Sequence, residues 1–161
     1  MKVKARIQLR KSVKNNLVKE MISLFGEEVS KLEKSVFEKI TLDEYTIILV
    51  DGKPLFFEVE GTLYPTVRGA LEMELKKRLV VVDKGAVRFV YNGADIMSPG
   101  IVEADPGIKE GELVIVVEEA HKKPLAVGKA LMDGPAMVEA TSGKAVQSII
   151  HVGDKIWNME I

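Results

Sequence analysis

The sequence predicts an α+β fold in two successive units, and three observations carry that prediction. The chain opens on a strict alternation of apolar and polar residues, a run of apolar residues at helical spacing follows, and short β-rich segments separated by turn residues fill most of the remainder. Residues 1–77 are expected to form a sheet carrying helices, and residues 78–161 a small mixed β-barrel with short helices. A chain of 161 residues is long enough to bury a sizeable core, as one large domain or two small ones.

In the opening strand Val3, Ala5, Ile7 and Leu9 alternate with Lys2, Lys4, Arg6, Gln8 and Arg10, so one face is expected to be buried and the other cationic. Ser12 is the expected N-cap of a helix with Val13, Leu17, Met21, Leu24 and Phe25 on its apolar face, ended by Gly26. A short helix is expected near Glu28–Lys34. Ser35–Leu42, Tyr45–Val50 and Leu55–Glu60 read as strands from their branched and aromatic content, with Asp51-Gly52 turning between the last two. Pro65-Thr66 suits a helix start, with Val67, Ala70, Leu71 and Leu75 as the apolar face.

The second unit begins with Leu79–Val82. Further strands are expected at Leu113–Val117, Leu125–Met132, Ala145–His151 and Lys155–Met159, separated by turns at 119–124, 141–144 and 153–154. Residues 81–100, VVDKGAVRFVYNGADIMSPG, interrupt this pattern with three glycines and a proline. Asp83 suits a helix cap, Ala86, Phe89 and Val90 share one face of a short helix, and Arg88 and Asn92 share the other. Asn92-Gly93 is a C-terminal stop, because glycine accepts the left-handed conformation without a Cβ clash. On the residues alone the stretch has two readings. It is either a cap and tight loop serving the fold, or a bend where small residues and bare amides let a base or another backbone approach closely.

The net charge of −1 hides a polarity. Residues 1–19 carry Lys2, Lys4, Arg6, Arg10, Lys11, Lys14 and Lys19 with no acid, while residues 102–120 carry Glu103, Asp105, Glu110, Glu112, Glu118 and Glu119 against Lys109 alone. No chain-wide basic footprint exists, so any nucleic-acid contact is local. The acidic run is expected to face solvent, as charge runs ordinarily do. The absence of cysteine excludes disulfides, thiolate metal sites and cysteine nucleophiles, and His121 and His151 alone argue against zinc. His151, in an apolar strand, reads as structural, and His121, in a lysine-rich turn, as solvated. The segment GKALMDG (128–134) lacks the spacing and Lys-Ser/Thr of a phosphate loop, Asp51 reads as a turn residue, and Trp157 beside Ile156 as core. No apolar run reaches membrane-spanning length and the start lacks a signal-peptide core, which points to an intracellular chain with no membrane partner. No enzyme activity and no cofactor are expected.

These residues carry a resemblance. VVDKGAVRFVYNGADIMSPG, then PLAVGKALM (124–132), GKAV (143–146) and HVGDKIW (151–157), resemble the PUA domain, the module named after pseudouridine synthase and archaeosine transglycosylase, over about 78–160. DGKPLFF (51–57) and LYPTVR (63–68) are similar to the pre-PUA domain of the malignant T-cell-amplified sequence and ligatin family, in its archaeal branch. The resemblance implies a pre-PUA α+β domain followed by a PUA barrel, and RNA binding without catalysis. Carried onto this chain, the RNA-contacting positions are Arg88, Asn92, Gly93, Ala94, Asp95 and Met97, with the strand segment Gly128, Lys129 and Ala130. Arg88 and Lys129 would meet phosphate or stack on a base, amides near Gly93-Ala94 would read a base edge, and Asn92 and Asp95 would offer polar partners. The cations Lys2, Lys4, Arg6, Arg10 and Lys11 are either an ordinary solvated edge or a set of added phosphate contacts. The implied partners are rRNA or tRNA, the small ribosomal subunit and a separate initiation-factor-like protein, in initiation or recycling in the cytoplasm. Two alternatives are an accessory subunit guiding an RNA-modification enzyme and a protein-interaction adaptor.

Overall fold

A computed structural model describes residues 3–43, 45–59 and 61–159. The chain through Lys76 gathers into one compact unit and Lys77–Asn158 into a second.

The first unit is a five-stranded antiparallel meander, β1 (Val3–Gln8), β2 (Phe37–Leu42), β3 (Thr46–Val50), β4 (Lys53–Val59) and β5 (Thr62–Pro65), in sequential order. The helix α1 (Lys11–Phe25) intervenes between β1 and β2, followed by a 3-10 segment at Glu27–Leu32. Gly26, at φ 103°, ends α1 as expected, but the N-cap is Arg10 rather than Ser12, with no side-chain cap. Ser12 lies inside the first turn, two residues past the cap position, so its hydroxyl is not placed to cap the free amides. Helix α1 buries Val18, Met21 and Phe25 and leaves Val13 exposed. The helix α2 (Val67–Met73) is capped by Thr66, whose hydroxyl accepts the Gly69 N–H at 2.9 Å and donates to the Pro54 carbonyl at 2.7 Å. Val67, Ala70 and Met73 are buried on α2, but Leu71 is exposed.

The expected facing of β1 is not what the sheet imposes. Ile7 lies opposite the exposed Lys39, and Arg6 opposite the buried Ile40. As a terminal strand β1 has a neighbour on one side only, so alternation alone does not determine burial.

The second unit holds β6 (Leu79–Val82), a 3-10 turn at Lys84–Ala86, α3 (Val87–Tyr91), β7 (Ile96–Met97), a 3-10 turn at Ser98–Gly100, β8 (Ile101–Ala104), β9 (Leu113–Glu118), β10 (Pro124–Ala130), α4 (Gly134–Glu139) and β11 (Lys144–His151). The sheet order is β7-β11-β10-β9-β6-β8, with β6 and β9 parallel and the other pairs antiparallel. Its two terminal strands, β7 and β8, are joined through Ser98–Gly100, so the sheet curls into a nearly closed six-stranded barrel. Val80, Val82, Val114, Val116, Ala126 and Val146 fill the interior with Val90 of α3 and Met137 of α4. The expected strand at Lys155–Met159 is instead a series of turns, tied by the Asp154 carboxylate to the N–H groups of His151 and Trp157 at 2.9 Å each. Trp157 is half-buried rather than core, and Ile156 takes the buried position.

The acidic run is not simply solvated. Asp105 accepts the N–H groups of Arg78 and Gly107, and Glu112 pairs with Arg78 at 3.1 Å and accepts the Lys109 N–H. Glu118 closes the β9–β10 turn by accepting N–H groups from His121 at 2.7 Å, Lys123 at 3.0 Å and Ala120 at 3.1 Å. Those bonds, Lys123's foremost, hold its carboxyl below the usual carboxylate range. A carboxyl with a depressed folded pKa stabilises above its unfolded value, about 4.3. That contribution is lost as pH falls through the lower folded pKa. Glu118→Ala is therefore expected to lower Tm at neutral pH, with the gap to the parent closing in acid. Thermal melts across the acid range test this, and a gap that persisted in strong acid would assign the effect to something other than the carboxylate.

Candidate nucleic-acid interface

The glycine-rich stretch builds a helix and a groove beside it. Asp83 caps the 3-10 turn, its carboxylate accepting the Ala86 N–H at 2.9 Å, and the chain runs on into α3, which packs across β10 and β11 and buries Val90. At the other end Gly93, at φ 83°, donates its N–H to the Val90 carbonyl at 3.0 Å, and Ala94 donates to the Phe89 carbonyl at 3.1 Å. This is a Schellman cap with glycine at its left-handed position. The N–H groups of Gly93 and Ala94, near which a base edge was expected to be read, thus donate to the helix's own carbonyls. A Cβ on Gly93 would lie 2.9 Å from His151 Nε2. The neighbour that closes on Gly93 is thus a protein side chain. The His151 ring is itself held through Nδ1 and the Val152 carbonyl, 2.9 Å apart.

Beside this cap lies a groove of about 710 Å³, walled by Asp83, Gly85, Ala86, Phe89 and Val90 on one side and by residues 94–97, Pro99, Gly100 and Lys144 on the other. Its surface is mainly apolar, with one ammonium and two carboxylates at the rim. Phe89, expected on the buried face, is 53% exposed, and the Arg88 guanidinium carbon stands 4.9 Å from its ring centroid. A five-residue helix offers the barrel too few positions to bury Val87, Phe89, Val90 and Tyr91 together, and Val90 takes the inner one. The outcome is an exposed aromatic ring stacked with a cation, the kind of surface on which a base can lie.

The other expected residues divide clearly. Ala94, Asp95 and Met97 line the groove, while Arg88 and Asn92 are exposed on α3 and at its end. Asp95 also works as a clamp, one oxygen accepting the Ser148 N–H at 3.0 Å and the other meeting Lys144 Nζ at 3.3 Å. Lys129 is exposed on β10 and is not part of the groove wall. Gly128 and Ala130 are buried, and a side chain on Gly128 would run into the Gln147 carbonyl, so that glycine serves the pairing of β10 with β11. Among the groove residues that the expected RNA contacts left out, Lys144 and Phe89 bring the charge and the aromatic ring. Lys144 had a signal, as the lysine of the GKAV segment, and the sheet brings it to β7, opposite Met97.

Of the N-terminal cations, Lys2 lies outside the described residues. Lys4 pairs with Asp43 at 2.9 Å, and Arg6 holds both oxygens of Glu38 at 2.8 and 3.0 Å. The Arg6 hydrogen bonds hold the Glu38 carboxyl below its usual range. Arg10 and Lys11 are exposed. Among the described residues no group of histidine, aspartate and glutamate is placed to hold a metal ion, and no helix is long and apolar enough to cross a membrane.

The comparisons with known proteins cover nearly the whole chain. The PUA domain model matches residues 78–152 and the Pre-PUA-like domain model residues 1–73. An uncharacterised protein of Methanocaldococcus jannaschii is 46% identical over 153 residues, 94% of this chain and 93% of that protein. Translation machinery-associated protein 20 of Saccharomyces cerevisiae is 32% identical over 170 residues, 99% of this chain and 92% of that protein. Among solved structures, a hypothetical protein of Pyrococcus horikoshii superposes with a TM-score of 0.86 at 41% identity, covering 95% of this chain and 98% of that one.

Proposed function

The chain belongs to the family that joins a pre-PUA to a PUA domain, the family of translation machinery-associated protein 20 and the malignant T-cell-amplified sequence proteins, and from that premise we propose that it is a non-catalytic RNA-binding protein of the cytoplasmic translation machinery. The groove beside α3 receives an unpaired stretch of RNA. One base stacks on Phe89 and Arg88, a second enters between Met97 and the Lys84–Ala86 turn, and Lys144 meets the phosphate joining them. The observation that carries this reading is the exposed Phe89–Arg88 plate at the mouth of an apolar groove with an ammonium at its rim. An apolar slot with few polar groups suits splayed, single-stranded bases, whereas duplex RNA would present its shallow groove and phosphates to a broad basic surface. We further propose a binding site on the small ribosomal subunit or on tRNA, and a role in initiation or recycling with an initiation-factor-like protein, a reading supported by the family's translation-associated members rather than by the groove.

Stacking of one base on an aromatic side chain is worth about 1–3 kcal/mol. Phe89→Ala is therefore expected to weaken binding of a labelled single-stranded RNA by roughly 5- to 100-fold, with Tm nearly unchanged because the ring is largely exposed. Lys144→Ala is expected to weaken binding more evenly across sequences and to reduce the salt slope by about one ion. Fluorescence anisotropy at several salt concentrations measures both. Co-sedimentation with small ribosomal subunits, lost at high salt, tests the wider setting, and association with an RNA-modification enzyme alone would replace this reading with that of an accessory subunit.

A further inference from the structure

We propose that the outer edge of β1 is a docking site for an extended segment of another protein, alternating apolar and acidic residues, which adds to the first unit's sheet as a strand. β1 is terminal in the sheet order, with β2 its only neighbour among the described residues. The Leu9 N–H donates to the Phe37 carbonyl at 2.8 Å, so Leu9, Ile7 and Ala5 turn their backbone groups toward β2. The backbone groups of Arg6 and Gln8, which alternate with them, point away from the sheet. They are the hydrogen-bonding template that strand addition uses.

Edge strands are normally protected by free lysines or by a charge turned across the edge. Over Arg6–Gln8, beyond the register shift between Val3 and Ala5, both devices are disarmed. Arg6 is drawn back over β2 by its two bonds to Glu38, and Lys4 by Asp43 at the β2–β3 turn. The apolar side chains, by contrast, are left open. Ile7 is 61% exposed and Val3 43%.

Charge selects the occupant. Among the described residues of β1, β2 and the segments that immediately follow them, the cations Lys4, Arg6, Arg10, Lys11 and Lys39 outnumber the carboxylates Glu38 and Asp43. Antiparallel pairing of β1 with a second copy would bring two such rims together and set Arg6 against Arg6 or against Arg10, which like-charge repulsion disfavours. A phosphate backbone would meet the charge but would leave Ile7 and the Arg6 and Gln8 amides unused. A strand that sets apolar residues beside Ile7 and acidic residues toward the cations uses all three features, while Val3, beyond the register shift between Val3 and Ala5, lies on the face of Leu42 rather than that of Lys39.

The test is amide hydrogen exchange by NMR on the full chain, with a synthetic octapeptide alternating glutamate with valine and isoleucine. A second peptide of the same composition, N-methylated at alternate residues, is the control because it cannot complete a ladder. The expected result is saturable binding of the first peptide, with exchange at the Arg6 and Gln8 amides slowed at least tenfold, and no slowing with the second. Equal binding of both peptides, or binding that leaves those two amides unprotected, overturns the proposal. Protection that arises from raising the chain's own concentration, with dimers in sedimentation, makes a second copy the occupant. Protection by single-stranded RNA makes RNA the occupant. Either result overturns the proposal, and neither bears on the groove in the second unit.

Discussion

Ala94→Trp is expected to lower the affinity for single-stranded RNA by roughly 10- to 100-fold while leaving Tm within a few degrees of the parent. Ala94 is exposed and on the groove wall. Its N–H contribution to the helix cap is a backbone bond that any residue other than proline retains. Its φ is not positive, so the larger side chain meets no backbone strain. An indole at this position fills space that a base would otherwise occupy, and each stacked base lost costs about 1–3 kcal/mol. Position 93, one residue earlier, gives the opposite experiment. At φ 83° any side chain there is strained, and its Cβ presses on the His151 ring. Gly93→Trp, which the sequence alone would recommend as the blocking variant, is expected to destabilise the second unit and so to confound binding with unfolding. Anisotropy titrations and melts on both variants separate the two effects. Unchanged affinity in Ala94→Trp would move the RNA off this groove.

That contrast shows what could be read in advance and what could not. Signals confined to a few consecutive residues were legible: Asp83 as a cap, Gly93 as the left-handed stop, Asp51-Gly52 as the turn between β3 and β4, and Gly26 as the end of α1. Each is a local conformational preference that the distant fold does not override. The two-unit α+β architecture was legible for the same reason, helped by the family resemblance. Features that depend on a second segment were not legible. Phe89 was placed on one helix face with Ala86 and Val90, but α3 is too short to bury that whole face, and Phe89 is left exposed. The expected burial of one face of β1 fails because β2 is its only neighbour among the described residues and sets Ile40 opposite Arg6 and Lys39 opposite Ile7, so both Arg6 and Ile7 stay exposed. Lys144 enters the site across a sheet, about fifty residues from the Asp95 it pairs with. Of the two readings that the residues left open for the stretch, the helix cap at Gly93 is the one the geometry displays.

Gly128→Val is expected to have the largest effect on stability, and it decides what that glycine is for. The family resemblance places Gly128 among the RNA contacts, whereas in the barrel it is buried on β10 at a shift of register between Val127 and Gly128 against β11. A Cβ there would run into the Gln147 carbonyl and come within 2.7 Å of Val146 Cγ1. The valine rotamers can adjust, but a carbonyl in the β10–β11 ladder cannot move without loosening the pairing that also carries Asp95's bond to Ser148. Overpacking against yielding side chains costs about 1–3 kcal/mol. Against fixed backbone the cost is expected at or above the top of that range. For a unit of this size it corresponds to a fall in Tm of roughly 15 °C. Trp157, the chain's single tryptophan, lies in the same unit, so its fluorescence follows that transition. RNA affinity measured well below the lowered midpoint should then fall only as the folded fraction falls. If the variant instead melts like the parent and loses RNA binding, Gly128 faces the RNA and the buried-glycine account is wrong.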